Sequence, residues 1–347
     1  MRVVVIGAGY AGTIAANRLN SSAPELQITV VNPRSEFVER VRLHEELVRG
    51  GRATRPLEQM LRPNIALKVG EVTGIGKRSV TTDGEPLSFD YAILAVGSIA
   101  QAPQQTISVT DWEGVNVARS ALARLELGAV VNVIGGGLTG IECAAELAAC
   151  HPDLSIRLIF TELGRGLAAP AQKYVRRRLE ELGVELREGR FERPDCDADL
   201  NLWAIISTIP PLIADSGLTA DRAGRVVVDS YLRSVDNPRI FVAGDCAAVP
   251  GARMACATAT PQGAHVADTI ARIIGGRDSQ AYSMGYVGQA ISLGRRDGVI
   301  QPVNRDDRPR WKHFTGLKAA LVKEGICRYA ASGARTGTYV WLKGPRP

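Results

Sequence analysis

The sequence predicts an α/β fold that contains two similar β-α-β units and a small C-terminal α+β domain. Three observations support this prediction: a glycine motif occurs twice, a β-branched run precedes each copy, and a helical period follows each copy. The copies are Gly7-Ala8-Gly9-Tyr10-Ala11-Gly12 and Gly135-Gly136-Gly137-Leu138-Thr139-Gly140. All three glycines are displaced by 128 residues, from 7 to 135, from 9 to 137 and from 12 to 140.

The residues around each motif give it a structural context. The runs 3–6 and 130–134 are rich in valine and isoleucine, which is typical of buried parallel strands. After each motif, apolar residues recur at helical spacing. Second strands are predicted at 27–31 and 155–159, again at the same displacement.

The glycine pattern suits the binding of a dinucleotide. Its first glycine permits a tight strand-to-helix turn, its second lets the backbone approach a pyrophosphate, and its third lets the helix pack close to the strand. The phosphates then lie on free amides at a helix N-terminus. Two such sites in one chain indicate a protein that passes electrons between two bound dinucleotides.

The two units differ at the position that normally binds a ribose. An Asp or Glu is expected there, about 20 residues past the third glycine. The first unit has Asn32, which can still bond a hydroxyl, and the second has Phe160, which cannot. The nearby Glu162 favours NADH, whereas Arg165 favours a 2′-phosphate. The choice between NADH and NADPH stays open at this point.

Composition excludes several classes of protein. With 347 residues, 45% of them hydrophobic and 22% charged, the chain has room for two or three globular domains. The net charge is +6, but no aromatic residues interleave with Arg176-Arg177-Arg178, so no nucleic-acid partner is expected. No segment reaches the roughly 18 apolar residues of a membrane span. The glycines at 7, 9 and 12 argue against a signal peptide, so a cytoplasmic location is expected.

No metal site is expected. The six cysteines show no CxxC pair and no zinc-like spacing with the four histidines. They lie at positions 143, 150, 196, 246, 256 and 327 and are interpreted as reduced thiols.

Strand signals suggest how the domains are arranged. A strand at 91–96 ends at Gly97, and a late strand at 203–208 stops before Pro210-Pro211. The strand at 237–245 is assigned back to the first domain, so the second domain is an insertion. We predict domains at 1–108 with 231–281, at 109–230 and at 282–347.

Two helices and a hairpin complete the prediction. The first helix is predicted to begin with Thr260 as N-cap and Pro261 in the first position, and to end at Gly275-Gly276. A hairpin is predicted around Asp297-Gly298. The second helix, at 314–330, has an imperfect apolar face. That face suggests peripheral contact with a membrane surface, or else packing on its own domain or on a homodimer partner.

These motifs occur in the order found in a known group of flavoproteins. With segments 37–45 and 70–75, the chain resembles the two-dinucleotide-binding-domain flavoproteins of the pyridine nucleotide-disulfide oxidoreductase superfamily. It looks most like type II NADH dehydrogenases and apoptosis-inducing-factor-like oxidoreductases. The resemblance implies two Rossmann-like domains, one binding FAD and the other, inserted in it, binding NAD(P)H.

The resemblance also implies particular cofactor-binding residues. For FAD they are Gly7, Gly9, Tyr10, Ala11, Gly12, Asn32, Arg40, Val72, Ala95, Gly97, Gly244, Asp245, Pro261 and Gln262. For NAD(P)H they are Gly135, Gly137, Leu138, Thr139, Gly140, Glu142 and Glu162.

Two departures from the family pattern matter. No cysteine precedes Cys143, so the first domain lacks the redox cysteine pair of the disulfide reductases. The quinone-associated motif AQxAxQxG would fall on 256–263, where Ala257 and Pro261 replace its glutamines. Quinone is therefore a candidate acceptor that the motif alone does not imply.

The leading hypothesis is an FAD-dependent NAD(P)H oxidoreductase that passes electrons to a quinone, another small acceptor or O₂. Hydride transfer needs little acid-base chemistry from the protein. Arg40, Arg42 and His44 are the polar candidates near the acceptor, and the alternative is that they pair with neighbouring glutamates. Two other hypotheses remain: an oxidase or tailoring enzyme with a vestigial nicotinamide site, and a redox-sensing protein with little turnover.

Overall fold

The computed structural model describes residues 1–51, 53–191, 197–205 and 208–345. Residues 206 and 207 of the predicted late strand, Cys196 and the last two residues of the predicted C-terminal domain lie outside these ranges. The strands in the described ranges are β1 Arg2–Ile6, β2 Gln27–Asn32, β3 Glu36–Val38, β4 Thr54–Pro56, β5 Ile65–Val69, β6 Val72–Ile75, β7 Ser79–Thr82, β8 Glu85–Ser88, β9 Tyr91–Leu94, β10 Ile107–Ser108, β11 Val130–Ile134, β12 Ser155–Phe160, β13 Glu185–Glu188, β14 Leu200–Trp203, β15 Val226–Val227, β16 Ile240–Val242, β17 Ala247–Ala248, β18 Gly288–Ser292, β19 Gly298–Pro302 and β20 Phe314–Thr315.

Helices follow or connect many of these strands. Short 3₁₀ turns occur at Arg40–Arg42 and Pro211–Ser216. The α-helices in the described ranges are α1 Tyr10–Ser22, α2 Leu43–Arg49, α3 Leu57–Met60, α4 Trp112–Leu122, α5 Leu138–Cys150, α6 Ala169–Glu181, α7 Cys256–Ile274 and α8 Gly316–Thr336.

The first motif lies in a parallel sheet with the order β16-β9-β1-β2-β5. Its central strand β1 is buried apart from its first residue, as expected for a strand covered on both faces. β16 pairs with β9 although more than 140 residues separate them in sequence (94 to 240). The chain therefore returns to the first sheet after forming the second.

The second motif lies in a parallel sheet with the order β10-β14-β11-β12-β13. The pairing of β11 with β12 matches that of β1 with β2, because Val131 pairs with Ile156 where Val3 pairs with Ile28. Both predicted β-α-β units are therefore confirmed. β10 pairs within this second sheet, so the chain already enters it at Ile107.

A three-stranded antiparallel sheet, β18-β19-β20, and helix α8 form the C-terminal part. The predicted hairpin around Asp297-Gly298 is present. The second helix was predicted at 314–330, whereas residues 314 and 315 form β20 and α8 runs from Gly316 to Thr336. Helix α8 packs against α1 as well as against this sheet. The C-terminal part therefore contacts the helix that follows the first glycine motif.

The predicted start of the first helix was wrong. Helix α7 begins at Cys256 after Ala255, and Pro261 lies inside it. The Thr260 hydroxyl donates to the backbone oxygen of Cys256 at 2.8 Å instead of capping the helix. Since Thr258 also donates to upstream carbonyls, the helix forms one turn earlier than the Thr-Pro signal suggests.

The late strand also ends earlier than predicted. Strand β14 stops at Trp203, and the backbone N–H of Ala204 makes the last bond to Ile134. The neighbouring strand β11 ends at Ile134, so in the described part of the chain β11 offers no further pairing beyond Ala204.

Candidate functional site

The two glycine turns have nearly the same backbone geometry. Gly7 and Gly135 have φ angles of 94° and 128°, which favour glycine. A Cβ atom at Gly12 would lie 1.9 Å from the Gly7 oxygen, and one at Gly140 would lie 1.8 Å from the Gly135 oxygen. The middle glycines, in contrast, face open space. Each turn therefore packs tightly on its strand and is open where a pyrophosphate would approach.

Asn32 supports the first turn directly. Its Oδ1 accepts a hydrogen bond from the Ala8 backbone N–H at 2.9 Å, and its Nδ2 donates to the Arg34 oxygen at 2.7 Å. One amide N–H is left for a ligand hydroxyl. The role in ribose binding stays a prediction, and holding the turn is a second role that the sequence did not indicate.

A polar cluster lies at the ends of the first-sheet strands. Arg40 Nη1 donates to the Ser98 backbone oxygen at 3.0 Å and lies 3.7 Å from Asp245 Oδ2. The Ser98 hydroxyl donates to the same Asp245 oxygen at 2.6 Å. Gly97 borders the cluster, 3.8 Å from Arg40 when a Cβ is placed on it. Arg40 Nη2 is buried and has no hydrogen-bond partner among the described residues, so it is available to a bound ligand.

Two of the remaining predicted FAD residues contact the strand ends and the first turn. Gln262 is buried and accepts the Gly244 backbone N–H at 2.7 Å, so it fixes the turn before Asp245 from behind. Ala95 lies against Gly7, where a Cβ would meet its oxygen at 2.5 Å. The other two side chains, Val72 and Pro261, are buried, as are Tyr10 and Ala11.

The second turn lacks the polar support of the first. Phe160 is buried beneath the Arg176 guanidinium, which lies 5.6 Å from the ring centroid. Gly136 must be glycine, because a Cβ there would meet the Phe160 Cβ at 2.7 Å and the Glu162 oxygen at 2.2 Å. The exposed carboxylate of Glu162 lies 3.7 Å from the guanidinium of Arg165. Both candidates for coenzyme choice are therefore at the surface beside the turn.

A buried charged cluster lies where three parts of the chain meet. Lys323 of α8 donates to Glu142 Oε1, in the first turns of α5. The Ser292 backbone N–H at the end of β18 donates to the same oxygen at 3.0 Å. His44 of α2 lies on the other side, with Nδ1 3.7 Å from Glu142 Oε2 and Nε2 3.2 Å from Ser292 Oγ. We call these four residues the Glu142 cluster.

Burial and charge set the protonation of this cluster. Burial alone would raise the pKa of Glu142, but Lys323, His44 and the hydrogen bonds outweigh it and lower that pKa. The pKa of Lys323 is raised because Glu142 outweighs the effect of burial. Burial lowers the pKa of His44 despite the nearby carboxylate. At neutral pH the cluster therefore contains an ion pair and an uncharged imidazole.

Arg42 belongs to a different network. It pairs with Glu39 at 3.1 Å, with Glu45 at 3.2 Å and with Glu324 at 2.9 Å, and it is buried. These contacts leave Arg42 as a structural link between α2 and α8. Pairing with neighbouring glutamates, the alternative considered from the sequence, therefore describes Arg42 but not Arg40.

Lys323, Ser292 and Ser98 were not predicted as site residues. Ser292 and Lys323 lie 150 and 181 residues from Glu142, so only the folded chain brings them together. A lysine within the apolar pattern of α8 was the one available signal.

The five cysteines in the described ranges are free, and burial raises the pKa of Cys256 to about 12.

Comparison with known proteins agrees with this geometry. The family model described as pyridine nucleotide-disulphide oxidoreductase matches residues 1–269. The chain belongs to this family. Family membership implies FAD and NAD(P)H as cofactors, and the open glycine turns and the unpartnered Arg40 nitrogen fit such ligands.

Individual relatives extend the comparison over most of the chain. An NADH dehydrogenase-like protein of Mycobacterium tuberculosis is 30% identical over 71% of this chain and 73% of its own length. A type II NADH:quinone oxidoreductase of Staphylococcus epidermidis is 26% identical and covers 94% of both chains. The sulfide:quinone oxidoreductase structure from Aquifex aeolicus has a TM-score of 0.81 at 20% identity, covering 97% of this chain and 92% of that one. The chain is an NAD(P)H oxidoreductase of this family.

Proposed function

We propose that the protein is an FAD-dependent NADH oxidoreductase whose acceptor is a quinone. The observation that carries this proposal is the pair of open glycine turns, in two parallel sheets, with the buried Glu142–Lys323 pair where these sheets meet the C-terminal part. When bound, FAD would supply the redox chemistry between NADH and the acceptor. The protein residues bind and orient the cofactors and exclude water from them.

Residues at the first turn would hold FAD. The free amides at the start of α1 would bind the pyrophosphate, and the unpartnered Arg40 nitrogen and the Asp245 carboxylate would bind polar groups farther along the cofactor. NADH would bind the second turn, with the Glu162 carboxylate accepting from the ribose hydroxyls. The exposed Arg165, which would favour a 2′-phosphate, is paired with Glu162.

Two arguments support quinone as the acceptor. The Staphylococcus relative acts on a quinone by name and aligns over nearly the whole chain. The His44 imidazole beside the ion pair of Glu142 and Lys323 also provides a group that can take up and release a proton, and a quinone must take up protons when it is reduced. Both arguments concern the acceptor class only.

We also propose peripheral contact with a membrane through α8. No described helix is both long enough and apolar enough to cross a bilayer. One face of α8, however, exposes five large apolar side chains: Leu317, Leu321, Val322, Ile326 and Tyr329. Phe314 and Trp311, which shortly precede α8, are also exposed, and Lys318 and Arg328 lie on the helix. An apolar face with nearby cations suits the interface of an anionic bilayer.

Rapid mixing tests the proposed reaction. The purified flavoprotein is mixed anaerobically with NADH and separately with NADPH, and the flavin absorbance is followed. We expect NADH to bleach the flavin faster than NADPH, and menadione to restore the colour. If neither nicotinamide bleaches the flavin, the oxidase or tailoring hypothesis replaces this one. If bleaching occurs but turnover does not exceed that of free flavin, a redox sensor fits better.

Vesicle sedimentation tests the membrane contact. We expect the wild type to sediment with vesicles containing phosphatidylserine, and Leu321→Glu to bind several-fold less. Val117→Glu is the control, because Val117 is similarly exposed but lies on α4. If Leu321→Glu instead splits a dimer in gel filtration and vesicle binding is unchanged, the face is a homodimer interface.

A further inference from the structure

Every side-chain polar atom of Glu142 is approached from another part of the chain. Oε1 accepts from Lys323 Nζ and from the Ser292 backbone N–H, and the Ser292 hydroxyl lies 3.4 Å from the same oxygen. Oε2 faces His44 Nδ1 at 3.7 Å. His44 and Ser292 are both nearly inaccessible to solvent. His44 therefore occupies the one side of the carboxylate that lysine and serine leave open.

One arrangement of hydrogens satisfies both bonds of the Ser292 hydroxyl and leaves His44 Nδ1 without a hydrogen. His44 Nε2–H donates to Ser292 Oγ, and the Ser292 hydroxyl donates to Glu142 Oε1. The lone pair of His44 Nδ1 then faces Glu142 Oε2 across the 3.7 Å gap. A proton added to either atom would lie between them and join them. The imidazole and the carboxylate thus form one unit that can hold one additional proton.

We propose that His44 is a positioning residue that holds the Glu142 carboxylate and shares its proton when the acceptor takes up protons. This inference rests on the proposed function. The overall reaction is NADH + H⁺ + quinone → NAD⁺ + quinol, so one proton enters from solvent in each turnover. Glu142 is buried and Lys323 is only slightly exposed, and a proton taken up between His44 Nδ1 and Glu142 Oε2 would be held beside them.

Several charged groups act on His44. Glu142 and Glu146 act on it from α5, Lys323 acts on it from α8, and Glu45 is the next residue along α2. Arg295 pairs with Glu45 at 3.0 Å, and Arg42 pairs with the same carboxylate. The acids favour a protonated imidazole, whereas burial and Lys323 oppose it. The ring is therefore uncharged at rest but surrounded by groups that can stabilise a proton.

The test compares two acceptors that differ in proton demand. Menadione takes up two electrons and two protons, whereas ferricyanide takes up one electron and no proton. His44→Gln keeps an amide that can bond Ser292 and removes the titratable nitrogen. We expect its menadione turnover to fall roughly tenfold, which is less than the roughly 10²–10⁴-fold of a direct general acid because His44 acts through Glu142, and its ferricyanide turnover to stay within twofold. The pH profile with menadione should change, and the profile with ferricyanide should not.

His265→Gln is the matched control. His265 is also buried, but it lies on α7 and contacts Thr269 and the Tyr282 ring. We expect it to leave both turnovers within twofold. Ser292→Ala should resemble His44→Gln in a weaker form, because the backbone N–H of residue 292 still holds Glu142.

Three outcomes would overturn the assignment: an equal fall with both acceptors, menadione turnover within twofold of wild type, or an unchanged pH profile. Where His44→Gln fails to retain FAD, His44→Asn is measured by the same criteria. Flavin bleaching of the wild-type protein by NADH distinguishes a failure of this proposal from a failure of the proposed function. If NADH does not bleach its flavin, the function fails. If it does and His44→Gln behaves like the control, only the role of His44 fails.

Discussion

The two glycine turns share their backbone but differ in the side chains around them. At positions 128 residues apart, Ala8 corresponds to Gly136, Ile14 to Glu142 and Asn32 to Phe160. Both turns make the same bond to the second strand, from Gly7 to Val31 and from Gly135 to Ile159. The difference shows that the motif fixes where a pyrophosphate can bind, whereas the matched side chains decide what surrounds it.

The two halves also differ in how the helix after each glycine turn is packed. Ile14 is fully buried where α1 meets α7, and a Cβ at Gly263 would lie 2.2 Å from the Ala11 oxygen. The contact between α1 and α7 is thus apolar and tightly packed, as suits the binding of a cofactor that remains bound. In the second half, Glu142 places a charge at the matched position and joins α5 to α8. That half therefore carries the groups that can respond to a change of charge.

We expect the largest effects from two substitutions, each of which disrupts one of the two glycine turns. Gly12→Ala places a Cβ 1.9 Å from a backbone oxygen, and Gly140→Ala places one at 1.8 Å. We expect Gly12→Ala to lose bound FAD completely. Gly140→Ala should keep FAD but lose its reduction by NADH. Absorbance of the purified protein and anaerobic mixing measure the two losses. Gly325→Ala, on an exposed part of α8 with open space around it, is the control. Loss of FAD from both variants would show that the two sites do not bind independently.

The next effect concerns the matched pair of Ile14 and Glu142. Lys323→Met leaves the Glu142 carboxylate buried without its cation, which costs about 3–5 kcal/mol in the free energy of unfolding. Ile14→Val, the counterpart in the first half, should cost only about 0.5–1.5 kcal/mol. The double variant Glu142→Gln/Lys323→Met should recover most of the loss. Denaturant unfolding measures all three, and equal costs for the two single variants would contradict the comparison.

Local patterns predicted the fold well because each β-α-β unit is encoded by contiguous residues. Val3–Ile6, the glycine turn and the apolar face of α1 follow one another, so periodicity suffices. Helix α7 was misplaced because the Thr258 and Thr260 hydroxyls bond to upstream carbonyls, and this competes with the expected cap.

The site was harder to predict than the fold. Glu142 and His44 were both recognised as candidates, but their connection was not. It depends on Ser292 and Lys323, which reach them through the antiparallel sheet and α8. Asn32 was predicted to bind a ribose on the basis of its position. The sequence could not show that its side chain also accepts a hydrogen bond from the Ala8 backbone N–H.

A third prediction concerns the buried His265 on α7, beside the first half of the molecule. Burial lowers the pKa of His265 from 6.5 to about 4. Between those pH values the unfolded chain binds a proton that the folded chain does not, so the free energy of unfolding falls as pH falls from 6.5 to 4. The loss attributable to His265 is at most roughly 3 kcal/mol. His265→Gln should flatten this part of the stability curve, as measured by denaturant unfolding at several pH values. A decline as steep as in the wild type would assign the effect to other groups.

The smallest effect concerns coenzyme choice, where the two halves again differ at matched positions. Glu162 corresponds to Arg34 in the first half, and Arg34 pairs with Glu113. Glu162→Arg replaces a carboxylate that suits ribose hydroxyls with a cation that suits a 2′-phosphate. We expect the ratio of kcat/KM for NADH to that for NADPH to fall about tenfold, or about 1.4 kcal/mol. Arg34→Ala should leave this ratio unchanged, because it lies beside the first turn. If Glu162→Arg also leaves it unchanged, the ribose of the coenzyme does not reach Glu162, and the buried Phe160 marks a second site that selects its coenzyme by shape rather than by charge.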